Sequence, residues 1–439
     1  MTRDEARTWL LRQAEKQGVD LEVLTTSKRT LDLEARDGQP ADISLAEQGG
    51  LGLRVVRDGR AGYASTEELS EEALTWTFAE ALANAELQDS DHTAFLPDAE
   101  PQEQHDLLDE GLSAPLAEKV GAAVEFERGV SSDPRVQALQ FARYGESTTE
   151  VDIASTRGAR GGYRHGHASL VGAVVMRDGD SVKQGIHYDV KPVFPALEPG
   201  RTAQETLSVI GRHLGARPLS TGRRRAIFEP DVTATLLQLL LFSLSGKNLA
   251  EGRSLLADRL GQQVASAAVT VVDDPLLRDG VASRPFDSEG TPAERLVLID
   301  RGVLKSFLHN SETAARTGQA NTGHASRSYR STLDVGPSNF YLEPSDGVTR
   351  SDGSIIVTDV MGVHAGANPL TGDVSVQAMG LEVAGSDLVP VDNFAVSFSL
   401  FGLLERIEEV GSDFEWHPGD GGMCGAPSIA VPEVSFGGS

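Results

Sequence analysis

The run 229–249, EPDVTATLLQLLLFSLSGKNL, is the most apolar stretch of the chain and constrains its fold more than any other. Pro230 and Asp231 suit the first turn of a helix. Proline gives up only an N–H that would go unpaired there, and the carboxylate meets the positive end of the helix dipole. Gly246 stands where such a helix would stop, with Lys247 beside it. Between these signals Leu236, Leu237, Leu239, Leu240, Leu241, Phe242 and Leu244 leave almost no polar face. A helix that is apolar nearly all round is a buried one. This run is also shorter than the about 20 apolar residues that a bilayer demands. The pattern therefore predicts a central helix over 231–249, enclosed by the rest of the fold.

A core of that size fits the rest of the composition. The chain has 439 residues, 39% hydrophobic and 24% charged, as expected of a globular protein with two or three domains. Its formal net charge of −26 repels phosphate backbones, so no nucleic-acid partner is expected. The densest basic cluster, Arg223-Arg224-Arg225, is too small to reverse that field and is read as a set of ion pairs at the start of a strand. Cys424 is the one cysteine, which rules out an intramolecular disulfide and favours a reducing compartment. Residues 1–18 lack the apolar core of a signal peptide and read as an amphipathic helix. With no transmembrane candidate, the expected location is the cytoplasm, without a membrane partner.

Along the chain, helix 4–17 precedes strands 21–26 and 30–34. A hairpin follows over 51–57 and 62–65, turning at Asp58-Gly59. Ser65-Thr66-Glu67-Glu68 reads as a capping box that opens a helix running to about Leu87. Residues 88–104 are polar, hold Pro97 and Pro101, and form a linker or sub-boundary. Helix 113–128 then leads into strands 136–143, 148–155, 161–176 and 181–190, spaced as an antiparallel meander. Helix 202–214 precedes a boundary at 216–220. The second half reads as strands 264–272, 293–300, 303–308, 339–342, 354–359, 374–383 and 394–400, with a last strand within 427–436. Its segment 310–321 is at most helical, and 404–410 has no defined type. The expected fold class is α+β. Region 1–219 combines antiparallel strands and helices, and region 220–439 is a sheet-rich, barrel-like domain around the buried helix.

No active site declares itself in these patterns. HExxH is absent. His165 and His167 would share one face of a strand, but no third ligand is in view, so they read as surface histidines. His324 and His364 lie in glycine-containing loops and read as hydrogen-bonding residues. There is no GxSxG. Cys424, within Gly421-Gly422-Met423-Cys424-Gly425, would need a nearby histidine or a positive field to react, and reads as a buried or idle thiol. Gly246-Lys247 is not the end of a P-loop, because Leu241 replaces the first glycine and Asn248 the Ser or Thr.

Three blocks together resemble the TldD/PmbA family: Ser338-Asn339-Phe340-Tyr341-Leu342-Glu343-Pro344, the 365–373 stretch AGANPLTGD, and the terminal PSIAVPEVSFGG at 427–438. The resemblance implies an α+β N-terminal region, a sheet-rich C-terminal region, a cytoplasmic location and assembly as dimers. In the TldD type it implies a metallopeptidase that cuts unfolded peptides, with HExxxH on a helix and a downstream cysteine completing the metal site. The TldE/PmbA type lacks that motif and acts as partner. The family's older DNA-gyrase label gains no support from so acidic a chain. Laid on this sequence, the motif falls on Gln238, Leu239 and Ser243, none of which can replace imidazole as a ligand or carboxylate as a base. Cys424 falls at the metal-binding cysteine position. No cofactor is expected, unless zinc binds weakly to Cys424 with His364 or His324. His364, Asn368, Thr371 and Asp373 are candidates for contact with a peptide or partner. The leading expectation is a non-catalytic TldE-like subunit paired with an HExxxH-bearing TldD-like chain, or with itself, around an extended peptide. An independent homodimeric peptidase with an unrecognised site and a non-enzymatic peptide-binding scaffold are the alternatives.

Overall fold

The computed structural model describes residues 1–88, 93–108, 110–419 and 421–438. Part of the 88–104 linker, residues 89–92, lies outside the described residues. Nine α-helices and 23 strands are assigned among them. The N-terminal region runs α1 (Arg3–Gln17), β1 (Asp20–Arg36), β2 (Gln39–Arg57), β3 (Arg60–Thr66), α2 (Glu71–Leu87), β4 (Gln104–Asp106), α3 (Leu116–Ser131), β5 (Val136–Ser155), β6 (Arg160–Asp178), β7 (Ser181–Lys191) and α4 (Pro199–Gly211). β8 (Arg217–Pro218), β9 (Gly222–Phe228), α5 (Pro230–Leu244), α6 (Gly246–Ala250), β10 (Val271–Asp273), β11 (Leu296–Asp300), β12 (Val303–Leu304) and α7 (Ser311–Thr317) follow. The remainder is β13 (Ala325–Ser326), β14 (Asp334–Val335), β15 (Asn339–Leu342), β16 (Ile355–Met361), α8 (Val363–Gly366), β17 (Ala367–Asn368), β18 (Asp373–Ala384), β19 (Asp387–Ser399), α9 (Leu400–Leu404), β20 (Glu409–Val410), β21 (Glu415–Gly419), β22 (Gly422–Ala426) and β23 (Ile429–Gly437).

The N-terminal strands form one seven-stranded sheet in the order β3-β2-β1-β5-β6-β4, with β7 on β6. The expected strands 21–26 and 30–34 are one 17-residue strand, and 136–143 and 148–155 are one of 20 residues. The polar residues that interrupt the alternation, Ser27-Lys28-Arg29 and Gly145-Glu146-Ser147, sit inside the β1–β5 ladder. A sheet ladder uses backbone groups, so it runs through them where the faces meet water. Asp58 and Gly59 both take positive φ, 50° and 75°, which the tight β2–β3 turn requires. α2 starts at Glu71 behind the N-cap Ser70. The expected box at 65–68 is a local turn instead, in which Thr66 Oγ1 accepts the Glu68 N–H. α1 and α2 cover the part of the sheet holding Leu21, Val23, Leu53 and Val55. α3 and α4 cover the part holding Tyr144, Leu170 and Val174.

In the C-terminal region β9, β16, β18, β19 and β23 pair in a closed ring, a five-stranded barrel. A second, open sheet runs β12-β11-β10-β15-β22-β21. The expected strand 264–272 shrinks to Val271–Asp273, and 303–308 to Val303–Leu304. α5 packs on β21 and β22 of the open sheet and on β16 of the barrel, so it lies against the barrel rather than within it. The continuous helix expected over 231–249 is two. Ser245 is extended, with ψ of 122°, and the Gly246 N–H leaves the helical pattern to reach the Leu308 carbonyl at 2.8 Å. A Cβ at Gly246 would lie 2.2 Å from His309 Nδ1, so only glycine fits this break. The arginine cluster behaves as expected: Arg224 meets Glu382 at 3.0 Å, and Arg225 meets Glu408 at 2.7 Å and Glu409 at 3.0 Å.

The two regions are joined by buried charge. Arg54 of β2 meets Glu289 at 2.7 Å, and Arg327 meets Glu22 of β1 at 2.8 Å. Arg54 also lies 3.8 Å from Glu22 and donates to the Phe95 carbonyl at 2.9 Å. Glu289 further accepts the Ser311 N–H and hydroxyl. Gly52 lets the 327–330 loop lie flat on the sheet, since a Cβ there would sit 2.2 Å from the Tyr329 carbonyl oxygen. Glu289→Ala would strand the Arg54 charge out of water. It is expected to lower stability by about 3–5 kcal/mol, read as a fall in the urea midpoint at unchanged slope.

Candidate functional site

The first half of α5 is fixed at the seam between the regions. The Glu229 N–H is held by the Val357 carbonyl at 3.1 Å, and Arg212 of the α4 end grips the Glu229 carboxylate with two bonds, 2.9 and 2.6 Å. Further along the helix, the Cys424 thiol donates to the Ala234 carbonyl at 3.4 Å, and about one turn beyond that Gln238 Nε2 reaches the Pro418 carbonyl at 3.5 Å. A Cβ on Gly419 would lie 3.4 Å from Gln238 Cδ and 3.5 Å from Cys424 Cβ, so the two side chains flank that glycine. The structure thus brings Gln238 and Cys424 together. Leu239 packs against the core, and Ser243 is buried.

This donor set does not fit a zinc ion. It offers an amide, an alkyl chain, a buried hydroxyl and a thiol that burial pushes up to about 12, where zinc needs imidazole, carboxylate or thiolate. Among the described residues no group of three or more His, Cys, Asp and Glu side chains is placed to hold a metal ion. The weak site imagined from Cys424 with His324 or His364 is not assembled. His324 is buried, with Nε2 3.0 Å from Asp273 and Nδ1 2.9 Å from Thr322. His364 is exposed on the single turn α8. His165 and His167 are half-buried, not the solvated surface pair expected from their spacing. Burial, then the neighbouring His167, pushes His165 down to about 4, and Lys28 and Arg284 act in the same direction. That positive surrounding opposes a bound cation. Asn368, Thr371 and Asp373 share the exposed β17–β18 turn. There Asn368 Oδ1 accepts the Leu370 N–H at 3.0 Å and Thr371 donates to Asp373 at 2.8 Å.

Two features at the seam escaped the sequence reading. His417 stands opposite Cys424 in the β21–β22 ladder. Its Nδ1 lies 3.2 Å from Asp231 of α5 and 2.9 Å from the hydroxyl of Tyr188 on β7, so three elements of both regions meet at one ring. Reading 415–426 as a hairpin would have placed the two residues side by side. His417 Nε2 is shut from solvent and Cys424 is neutral, so neither is presented as a base or nucleophile. The second feature is a cavity of about 420 Å³ beside Asp231, walled by β7, α4 and β16 and lined by Lys183, His213, Thr358 and Asp359 among others. Burial, then the nearby Asp231 charge, pushes the Asp359 carboxyl up to about 6.

Two outcomes follow. Cys424 is expected to resist iodoacetamide at pH 8 in the folded protein and to react in denaturant, measured by mass shift. Asp359 holds a proton in the fold between pH about 4 and about 6 that the unfolded chain has released, so its contribution to stability falls as pH rises through that window. Asp359→Asn is expected to flatten that slope and to raise stability at pH 7 by about 1 kcal/mol, after discounting for its partial exposure.

Three profiles of one family match the chain in order: PmbA/TldA metallopeptidase domain 1 over 21–85, the central domain over 109–214 and the C-terminal domain over 221–438. The chain is 26% identical to the Escherichia coli protein named Metalloprotease PmbA, over 99% of this chain and 96% of that one. It is 28% identical to the Haemophilus influenzae protein named Metalloprotease PmbA homolog, over 94% and 91%. Among solved structures, TldE from Thermococcus kodakarensis shares the fold with a TM-score of 0.88 at 21% identity, covering 98% of this chain and all of that one. A Thermotoga maritima protein described as a modulator of a DNA gyrase gives 0.86 at 23%, covering 99% and 100%.

Proposed function

The chain belongs to the PmbA/TldD metallopeptidase family, and within it we propose a non-catalytic, TldE-like subunit that pairs with an HExxxH-bearing homologue to process unfolded peptides. One observation carries this reading. Gln238 stands on α5 beside a neutral, buried Cys424, and Leu239 and Ser243 on the same helix offer an alkyl chain and a buried hydroxyl, a set that can neither bind zinc nor activate water. No histidine anywhere in the sequence is followed by glutamate. The helix is kept for its place in the architecture, and the subunit's part is to complete the enclosure around an extended chain. The exposed turn with His364, Asn368, Thr371 and Asp373 is proposed as a contact for the partner or peptide. The cytoplasm is the proposed location. It accords with the single buried thiol and with the absence, among the described residues, of any helix long and apolar enough to cross a membrane.

The test is to purify the chain alone and with an HExxxH-bearing homologue, then measure zinc by elemental analysis and cleavage of an unstructured peptide by mass spectrometry. The lone chain is expected to hold substoichiometric zinc and to leave the peptide intact, with cleavage appearing only in the mixture. Stoichiometric zinc and turnover by the lone chain would overturn the proposal and favour an independent peptidase.

A further inference from the structure

The cavity beside Asp231 has the polarity of a receptor for a cation. Asp359 has no cation within ion-pair distance among the described residues, although it shares the cavity with Asp231 and two basic side chains lie close by. Both of those are occupied: Lys183 by Asp392 at 2.5 Å and Arg212 by Glu229. Asp231 is engaged on one side only, by His417, and its side chain is 61% exposed.

His213 supplies an independent indication. It lines the cavity, is 5% exposed, and its Nδ1 has no partner. The hydroxyl of Thr358 donates to the Met379 carbonyl at 3.2 Å, so its oxygen must accept from His213 Nε2, also at 3.2 Å. Nε2 therefore carries the ring proton, and Nδ1 is left as an acceptor. The ring is neutral near pH 7, because burial and then the neighbouring Arg212 and Lys183 push it down to about 4. A buried acceptor without a donor is costly, and so is a half-buried carboxylate without a cation. One N–H-rich cation would satisfy both. The rest of the lining includes Ile186, Val209, Ile210 and Met379, which suit an alkyl stem.

We propose that this cavity binds the cationic nitrogen of an alkylammonium or alkylguanidinium group, held by Asp231, Asp359 and His213 Nδ1, with its stem along the aliphatic wall. The site does not depend on the subunit role above: it is a property of this chain alone, and a failure of the partner experiment leaves it standing. The group could come from a free amine, a peptide N-terminus or a lysine side chain, which share one head-group chemistry.

The experiment is calorimetric titration of the full chain with n-butylammonium, with n-butanol as the neutral isostere. Two capped peptides complete the set: Gly-norleucine-Gly amide with a free N-terminus, and N-acetyl-Gly-Lys-Gly amide. n-Butylammonium is expected to bind and n-butanol not to. Asp359→Asn, whose folding is checked by its melting temperature, is expected to weaken n-butylammonium by about tenfold or more, and His213→Phe to weaken it as well. Binding of one peptide identifies the source as terminus or side chain. Binding of n-butylammonium with neither peptide identifies a free amine. Equal binding of n-butanol, no binding of n-butylammonium, or undiminished binding by folded Asp359→Asn would overturn the proposal.

Discussion

Two carboxylates and two guanidiniums, closed off from water, hold the N-terminal sheet to the C-terminal region. Glu22 and Arg54 come from neighbouring strands of the first sheet, while Glu289 and Arg327 come from loops more than 200 residues away. Such a cluster is poor evidence for net stability, since desolvating four charges offsets most of their attraction. Its value is positional. Arg54 Nε and Arg327 Nη1 remain without partners, so the arrangement is not even fully satisfied. Any relative shift of the two regions would part these charges where water cannot replace the lost contacts, and one docking geometry is selected over its neighbours. The seam that contains Tyr188, His417, Asp231 and the cavity inherits its geometry from that selection.

The same region shows how α5 is held in place by the elements around it. α5 is gripped at its start by Arg212 and Val357, at its middle by β21 and β22, and at its end by Leu308. None of those contacts requires a metal. Gln238 and Cys424 flank Gly419, and the buried thiol satisfies itself on the Ala234 carbonyl. The site reads as a packed core with one polar edge, where Gln238 reaches the Pro418 carbonyl.

How much of this was legible in the sequence depended on how local the cause was. Helix α1, the Asp58-Gly59 turn, strand β15 and the apolar centre of α5 are set by caps, turn residues and periodicity within a few positions, and their residues declare them. The sheet-rich barrel was legible as a class but not as a ring, because closure depends on β9 meeting β16 more than 100 residues on and β23 about 200 residues on. The breaks expected in β1 and β5 were artefacts of reading each strand alone: Ser27-Lys28-Arg29 looks like a turn until Glu150-Thr149-Thr148 is placed beside it. Gly246 was legible as a stop signal, but not that the chain turns there into a second short helix, since what shapes the break is the His309 ring and the Leu308 carbonyl. At the site, Gln238, Leu239 and Ser243 could be read as unsuited to zinc once the motif was laid on the helix. His417, Tyr188 and His213 could not, because single histidines and tyrosines in strands or at helix ends carry no spacing that marks them.

The β1–β5 ladder has a consequence for how the chain reaches this structure. β1 closes on β2 across a two-residue turn, but its other edge waits for a strand that begins more than a hundred residues later. The segment 88–104 lies between the first two matched domains, yet the strands on either side of it belong to one sheet. A nick there would not release two independent folding units. The pieces would remain clasped along 14 paired positions, as in fragment complementation. During synthesis the first 88 residues would present an open hydrogen-bonding edge until β5 emerged, an interval in which a foreign strand could occupy its place.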